Sequence, residues 1–134
     1  MIRRTLGEWV ADRSDGPPGV YAVYEASTTV PLYIGSTARG VSWRLRRHRR
    51  DGGSQTRCCK LSGYLRRSWP VSASWPVEVW QPDEIGAKYA PLSKKRVTLR
   101  QAEILMQRRL HPRLCVSEQE PVPAQQIGLW SLPT

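Results

Sequence analysis

Apolar positions cluster in short runs along the first third of the chain, and these runs predict strands. Residues 19–24 and 31–35 are rich in valine, isoleucine and tyrosine, and only a short polar link at 25–30 separates them. This composition, with so short a connection, is typical of an antiparallel hairpin. A Val-Glu-Val-Trp run at 77–80 predicts a third strand.

Helical spacing of apolar positions predicts two helices in the first half. Thr5 and Glu8 have the spacing of a capping box, which indicates a short helix over residues 5–13. A longer helix is expected over residues 39–50, where apolar positions recur three to four residues apart within a strongly basic stretch.

Two more helices are expected further along. After a Gly-Gly-Ser break, one helix has an apolar side formed by Cys58, Leu61 and Leu65. The last helix begins at a capping box of Thr98 and Gln101, and its apolar stripe consists of Leu99, Ala102, Met106 and Leu110. Between the third strand and this helix, residues 81–97 contain two prolines and a basic run, which is typical of a surface loop.

These elements together predict an α+β fold, a small three-stranded antiparallel sheet flanked by helices in the order β-β-α-α-β-α. At 134 residues the chain has the length of one domain. We expect residues 1–15 to form an N-terminal helical extension and residues 16–116 to form the domain itself. Residues 117–134 contain several prolines and no readable period, so we expect an extended tail.

Charge limits the classes of partner. Lysine and arginine number 21 against 11 acidic residues, a net charge of +10. Such a surplus on a small domain indicates a polyanion, nucleic acid first and an acidic membrane surface second. No apolar run is long enough for a membrane helix and no secretory leader is visible, so we expect a cytoplasmic protein without a membrane partner. Three cysteines are a poor disulfide framework, which favours buried thiols.

Several residues have types and positions suited to phosphate chemistry. Tyr21 and Tyr33 lie on the two strands of the predicted hairpin, although strand tyrosines are most often packing residues. Residues 35–37, a Gly-Ser-Thr trio, precede a helix, where free backbone N–H groups bind phosphate. The trio is Gly35, Ser36 and Thr37, and a plain helix cap is the more common use of such residues.

The basic helix is the strongest candidate for phosphate contact. It carries six arginines without an acid among them, so a nearby polyanion would relieve their mutual repulsion. Arg44 and His48 lie one turn apart on this helix and share a face. The residues expected to bind nucleic acid are Arg39, Arg46, Arg47 and Arg50 here, and Lys94, Lys95 and Arg96 in the predicted loop.

Glu103 is the one carboxylate in the otherwise basic stretch from Lys94 to Arg113. It could be an ordinary surface glutamate paired with Arg100 or Gln107. A carboxylate among cations is also what a hydrolytic metal site needs, because Mg²⁺ prefers oxygen ligands and often keeps most of its waters.

In this order, these features resemble the GIY-YIG nuclease superfamily. Gly19-Val20-Tyr21 is similar to the first signature and Tyr33-Ile34-Gly35-Ser36-Thr37 to the second, and Arg44 with His48 is similar to the pair on the family's first helix. The region around Glu103 and His111-Pro112-Arg113-Leu114 resembles the family's closing helix and its ending. The resemblance covers roughly residues 16–116 and departs at Cys115, where the family usually has asparagine.

The resemblance implies a metal-dependent endonuclease that hydrolyses phosphodiester bonds with Mg²⁺ or Mn²⁺, in DNA rather than RNA. It implies that Tyr21 is the general base, that Tyr33 positions the phosphate or the water, and that Arg44 neutralises a phosphate oxygen. His48 would orient a group or donate a proton, and Glu103 would hold the metal ion. Specificity would come from the basic segment at 88–96, the N-terminal segment, a homodimer or a partner protein.

Two other functions fit the same residues. A basic nucleic-acid-binding module could keep this fold without catalysis, which the cysteine at 115 makes plausible. A basic adaptor for acidic protein or lipid surfaces would explain the charge but not the ordered tyrosine, arginine and glutamate set.

Overall fold

The computed structural model describes residues 1–26, 28–50, 59–93 and 95–114. Several predictions fall outside the described residues: Cys58, Lys94, Cys115, the tail at 117–134 and the side chain of Arg50. Across the described part of the chain, no helix has the length and apolar character needed to cross a membrane.

A four-stranded antiparallel sheet forms the centre of the described residues. Its strands are β1 (Ile2–Thr5), β2 (Gly19–Val23), β3 (Tyr33–Thr37) and β4 (Pro76–Trp80), in the spatial order β1-β4-β2-β3. The predicted hairpin is confirmed, because β2 and β3 pair antiparallel. The α+β class is also confirmed, but the predicted number of three strands is wrong.

The additional strand is β1, in the segment we expected to be a helical extension. β1 pairs antiparallel with β4, with Arg3 opposite Glu78. Thr5 then caps the short helix α1 (Leu6–Ala11) through the predicted capping box with Glu8. Leu6 and Trp9 of α1 are buried in the core at 0% and 1% exposure, so this segment is part of the domain and not an extension of it.

Within the described residues, four more α-helices follow: α2 (Val41–Arg50), α3 (Cys59–Ser68), α4 (Pro82–Tyr89) and α5 (Leu99–Leu110). A single 3₁₀ turn at Val71–Ser74 leads into β4. The capping box predicted for α5, between Thr98 and Gln101, is confirmed. The helix predicted around Leu61 and Leu65 is also present as α3, and both leucines are fully buried.

Helix α4 occupies the segment that we predicted as a basic surface loop, so that prediction is wrong for residues 82–89. Pro82 stands at the first helical position, where its missing N–H is of no consequence and its fixed φ favours the helix. Gln81 and Glu84 form a capping box around it, and Ile85 is fully buried. Reading the proline as a breaker missed this helix start.

The sheet has a buried layer on each face. Helices α1, α2 and α3 cover the face that presents Tyr21, Val23 and Tyr33. Helices α4 and α5 cover the other face, which presents Val20, Ala22 and Ile34. Because side chains alternate along a strand, β3 sends Tyr33 to one layer and Ser36, three positions later, towards the other. β3 also ends the sheet, so groups from both layers can meet at its edge.

Candidate active site at the edge of the sheet

Two buried phenols form the centre of the candidate site. Tyr21 on β2 and Tyr33 on β3 point to the same face, with their ring centroids 5.9 Å apart. Tyr21 lies opposite Gly35 in the register of the two strands. A Cβ atom at Gly35 would lie only 2.7 Å from the Tyr21 Oη atom, so the absence of a side chain at 35 leaves room for the Tyr21 hydroxyl.

His48 on α2 approaches both phenols. Its Nε2 atom lies 2.9 Å from Tyr21 Oη, and its ring centroid lies 5.6 Å from that of Tyr33. His48 is only 2% exposed. Burial, with a smaller contribution from the charge of Arg44, lowers the pKa of His48 from 6.5 to about 3. The imidazole is therefore neutral at neutral pH, which suits it to hold the Tyr21 hydroxyl but not to supply a proton.

The environment of Tyr21 includes the other predicted catalytic residues. Burial raises its pKa to about 12, the Arg44 guanidinium opposes the rise through its charge and a hydrogen bond, and the Glu103 carboxylate adds to it. A hydrogen bond with Tyr33 also lowers the pKa. All five residues predicted to be catalytic therefore lie close enough to interact around one hydroxyl group.

Glu103 reaches the site from α5, on the opposite side of the sheet. The residue is 5% exposed, although it carries a carboxylate. Its Oε1 atom accepts hydrogen bonds from Ser36 Oγ at 2.7 Å and from Arg100 at 3.0 Å. Its Oε2 atom accepts one from Gln107 Nε2 at 3.3 Å. The pairing expected for an ordinary glutamate, with Arg100 or Gln107, is present with both residues, but Glu103 is buried and does not lie on the surface. Its role as a metal ligand stays a prediction.

The donors present decide whether a divalent ion fits here. Within the described residues, no group of three or more His, Cys, Asp or Glu side chains could hold a metal. A single carboxylate still suits a hard ion such as Mg²⁺ or Mn²⁺, which keeps most of its waters and takes a phosphate oxygen as a further ligand. The Arg100 guanidinium contacts the same Glu103 oxygen but is 66% exposed and can move away. The donor set therefore fits such an ion, with Glu103 as its protein ligand.

The hydroxyl groups of Ser36 and Thr37, in the second signature, both have partners within the protein. The Thr37 hydroxyl accepts a hydrogen bond from the Gly40 N–H at 3.1 Å, immediately before α2. Ser36 donates to Glu103, as described above. The phosphate contact expected from the backbone N–H groups of residues 35–37 stays a prediction.

Three arginines in α2 or just before it differ in their partners. Arg39 and Arg47 lie over the ring of Trp43, with their guanidinium carbons 4.4 and 5.1 Å from its centroid. Arg46 donates instead to the carbonyl oxygens of Asp12 and Ser14, so it holds the loop that follows α1. Arg39 also pairs with Asp15 at 3.3 Å, and this ion pair is exposed to solvent. The two arginines at Trp43 are therefore the candidates for contact with a substrate backbone.

The predicted basic loop residues lie on the other side of the molecule. Lys95 and Arg96 are exposed, and Arg96 pairs with Asp83 of α4 at 3.2 Å. They belong with the α4 and α5 layer, across the sheet from α2.

Three features of the site were not recognised from the sequence, namely two residues and one long-range hydrogen bond. Gln107 lies one turn after Glu103, a spacing that brings two helical side chains together, so its contact was recognisable as a helix pair but not as part of a site. Trp43 stands between two arginines that are each four residues away, again a helical spacing. The link from Ser36 to Glu103 joins residues that are 67 positions apart, and no local pattern predicts it.

No family model matches this chain, and no curated protein or solved structure is significantly similar to it. The functional interpretation therefore depends on the residues and their geometry.

Proposed function

We propose that this chain is a metal-dependent endonuclease of the GIY-YIG type that hydrolyses phosphodiester bonds in DNA. The observation that supports the proposal most is the convergence of Arg44, Tyr33, His48 and Glu103 around the Tyr21 hydroxyl. These residues come from both layers of the fold and from distant parts of the sequence. Buried phenols, a guanidinium and a carboxylate at one place match what phosphodiester cleavage requires, namely an activated water and neutralised phosphate charge.

In the proposed reaction, Tyr21 is the general base towards the attacking water. At a pKa of about 12, only about one Tyr21 in 10⁵ is a phenolate at pH 7. The rate should therefore rise with pH until another group limits it. His48, which is neutral, holds the Tyr21 hydroxyl in place, and this is the first of the two roles that the resemblance implies, orienting a group or donating a proton.

Arg44 and Tyr33 act on the phosphate. The guanidinium of Arg44 neutralises a non-bridging oxygen, for which its planar fork is well suited. The Tyr33 hydroxyl hydrogen-bonds the phosphate or the water and fixes its position. Glu103 would hold the divalent ion, which would supply charge neutralisation at the phosphate and the leaving 3′ oxygen.

The surface of α2 around Trp43 is the proposed contact with the rest of the substrate. Arg47 follows Arg44 by three residues, so it extends the basic face away from the reaction centre. Stacking of Arg39 and Arg47 on the indole restrains both guanidinium groups. Arg39 also pairs with Asp15, and because this ion pair is exposed and weak, a phosphate oxygen can replace the carboxylate.

A non-catalytic nucleic-acid-binding module is the second candidate. Two observations favour it: Arg100 already pairs with the Glu103 carboxylate, and burial raises the pKa of the Tyr21 phenol. Such a module would bind DNA through α2 and leave the backbone intact.

Plasmid cleavage distinguishes the two functions. Supercoiled DNA is incubated with the protein and Mg²⁺ or Mn²⁺, with and without EDTA. The endonuclease should nick the plasmid only with metal, and Tyr21→Phe and Glu103→Gln should abolish nicking while DNA binding in EDTA persists.

The sheet offers a matched control for each variant. Tyr24 is a second tyrosine whose pKa burial raises to about 12, with a further rise from Glu78, and Glu78 is a second buried carboxylate paired with an arginine. Tyr24→Phe and Glu78→Gln should both keep nicking activity. Binding without metal-dependent nicking by the wild type would exclude the endonuclease and leave the binding module.

A further inference from the structure

The partners of the Glu103 carboxylate differ greatly in how firmly they are held. Gln107 is 3% exposed and Ser36 is partly buried on β3, so both belong to the packed interior. Arg100 is a surface side chain at 66% exposure, although it contacts a carboxylate that is only 7% exposed. Of these three donors, Arg100 alone can leave without disturbing the core.

Gln107 ties the carboxylate to the strand that carries Tyr33. Its amide nitrogen has two hydrogens. One is donated to the Ile34 carbonyl oxygen at 3.1 Å and the other to Glu103 Oε2 at 3.3 Å. Ser36, two residues further along β3, donates to the other carboxylate oxygen at 2.7 Å. The carboxylate is thus held at Oε1 by Ser36 of β3 and at Oε2 by Gln107 of α5, which is itself bonded to β3. Its orientation does not depend on Arg100.

Arg100 supplies what the two neutral donors cannot, which is positive charge. A buried carboxylate without a counter-ion is strongly disfavoured. The guanidinium meets this need from the solvent side, on the Oε1 atom. A divalent ion held by Glu103 would meet this need as well, and repulsion between the two cations would disfavour their presence together.

We propose that Arg100 is a resident counter-ion that the divalent metal displaces from Glu103, and that Gln107 and Ser36 are positioning residues that keep the carboxylate aimed in both states. This inference rests on the metal site of the proposed function. Arg100 should therefore lower the affinity of Glu103 for the metal ion, and Gln107 should raise it.

Binding of Mn²⁺ to the full-length protein, measured without nucleic acid, tests the inference. The loss of the free Mn²⁺ signal in electron paramagnetic resonance reports binding directly. A partly exposed ion pair contributes little, so Arg100→Gln should bind Mn²⁺ about twofold to fivefold more tightly than the wild type. Loss of a residue that orients a metal ligand weakens affinity by about 10-fold to 100-fold, which is the change expected for Gln107→Met.

Arg109→Gln is the matched control for charge. Arg109 is an exposed arginine on the same helix, but it lies over Tyr89 and not beside Glu103. Its loss should leave Mn²⁺ affinity close to that of the wild type. If Arg100→Gln and Arg109→Gln increase Mn²⁺ affinity equally, the increase comes from the change in net charge. That result would overturn the displacement of Arg100 by the metal.

The remaining outcomes separate this inference from the proposed function. Binding that requires Glu103 but is unchanged or weaker in Arg100→Gln overturns the displacement and leaves the endonuclease intact. Absence of binding in both the wild type and Arg100→Gln overturns the metal site and this inference together. Tighter binding in Arg100→Gln supports the inference even if no plasmid is nicked, and in that case only the catalytic proposal fails. Because Arg100→Gln changes a surface residue, it still tests the inference if Gln107→Met does not fold.

Discussion

Replacing His48 by glutamine should make the protein less sensitive to mild acid. Burial first, and the charge of Arg44 second, lower the pKa of His48 from 6.5 to about 3. Between these two values the unfolded chain binds a proton that the folded protein does not bind. The stabilising contribution of the neutral imidazole is therefore complete above pH 6.5 and is lost progressively as the pH falls towards 3. Glutamine does not titrate, so the variant lacks this contribution.

The magnitude of this change in stability follows from the pKa shift of His48. The drop from 6.5 to about 3, at about 1.4 kcal/mol per pH unit, amounts to about 5 kcal/mol of unfolding free energy over the whole range. At pH 4.5 about 2 to 3 kcal/mol of it should be lost, a large fraction of the stability of a small domain. At pH 7 the variant should be less stable by about 1 to 3 kcal/mol, because the Tyr21 hydroxyl loses its partner at 2.9 Å.

Urea denaturation at pH 7, 6, 5 and 4.5, followed by tryptophan fluorescence, measures the difference. Acidic residues titrate in both proteins, so the change in the difference between wild type and variant isolates His48. His111 is exposed, so His111→Gln is the control for the loss of a surface imidazole. If His48→Gln loses stability in parallel with the wild type between pH 6.5 and 4.5, the histidine is not buried as a neutral ring and the reasoning fails.

Three further predictions concern the same site. Gly35→Ala should destabilise the fold by about 1 to 3 kcal/mol in urea unfolding, because the added Cβ atom would crowd the Tyr21 hydroxyl, whereas Gly63→Ala within α3 should not destabilise it. The cleavage rate should rise about tenfold per pH unit from pH 6 to 8, since Tyr21 has a pKa of about 12, and a flat profile would argue against Tyr21 as the base. Arg44→Lys should lower kcat by about 100-fold, because the bidentate fork is lost although the charge remains, and Arg96→Lys should leave it unchanged.

Local patterns predicted the elements whose signals lie within a few residues. The capping boxes at Thr5 and Thr98 and the short link between β2 and β3 all appear as expected, because they depend on bonds between near neighbours. Net charge and the arginines of α2 likewise follow from composition alone. The same short-range logic placed Arg44 and His48 on one helical face.

Only the tertiary structure decided the features that depend on distant partners. β1 is a polar segment that becomes a strand because β4, more than 70 residues away, offers it backbone hydrogen bonds. Helix α4 is stabilised by the burial of Ile85 against the sheet, and this burial decides that Pro82 begins a helix and does not break one. The sequence resembles a known set of catalytic residues, but their pKa values and the anchoring of Glu103 arise from burial and from contacts across the sheet edge. These terms depend on which groups exclude water from one another, and no local stretch of the chain contains that information.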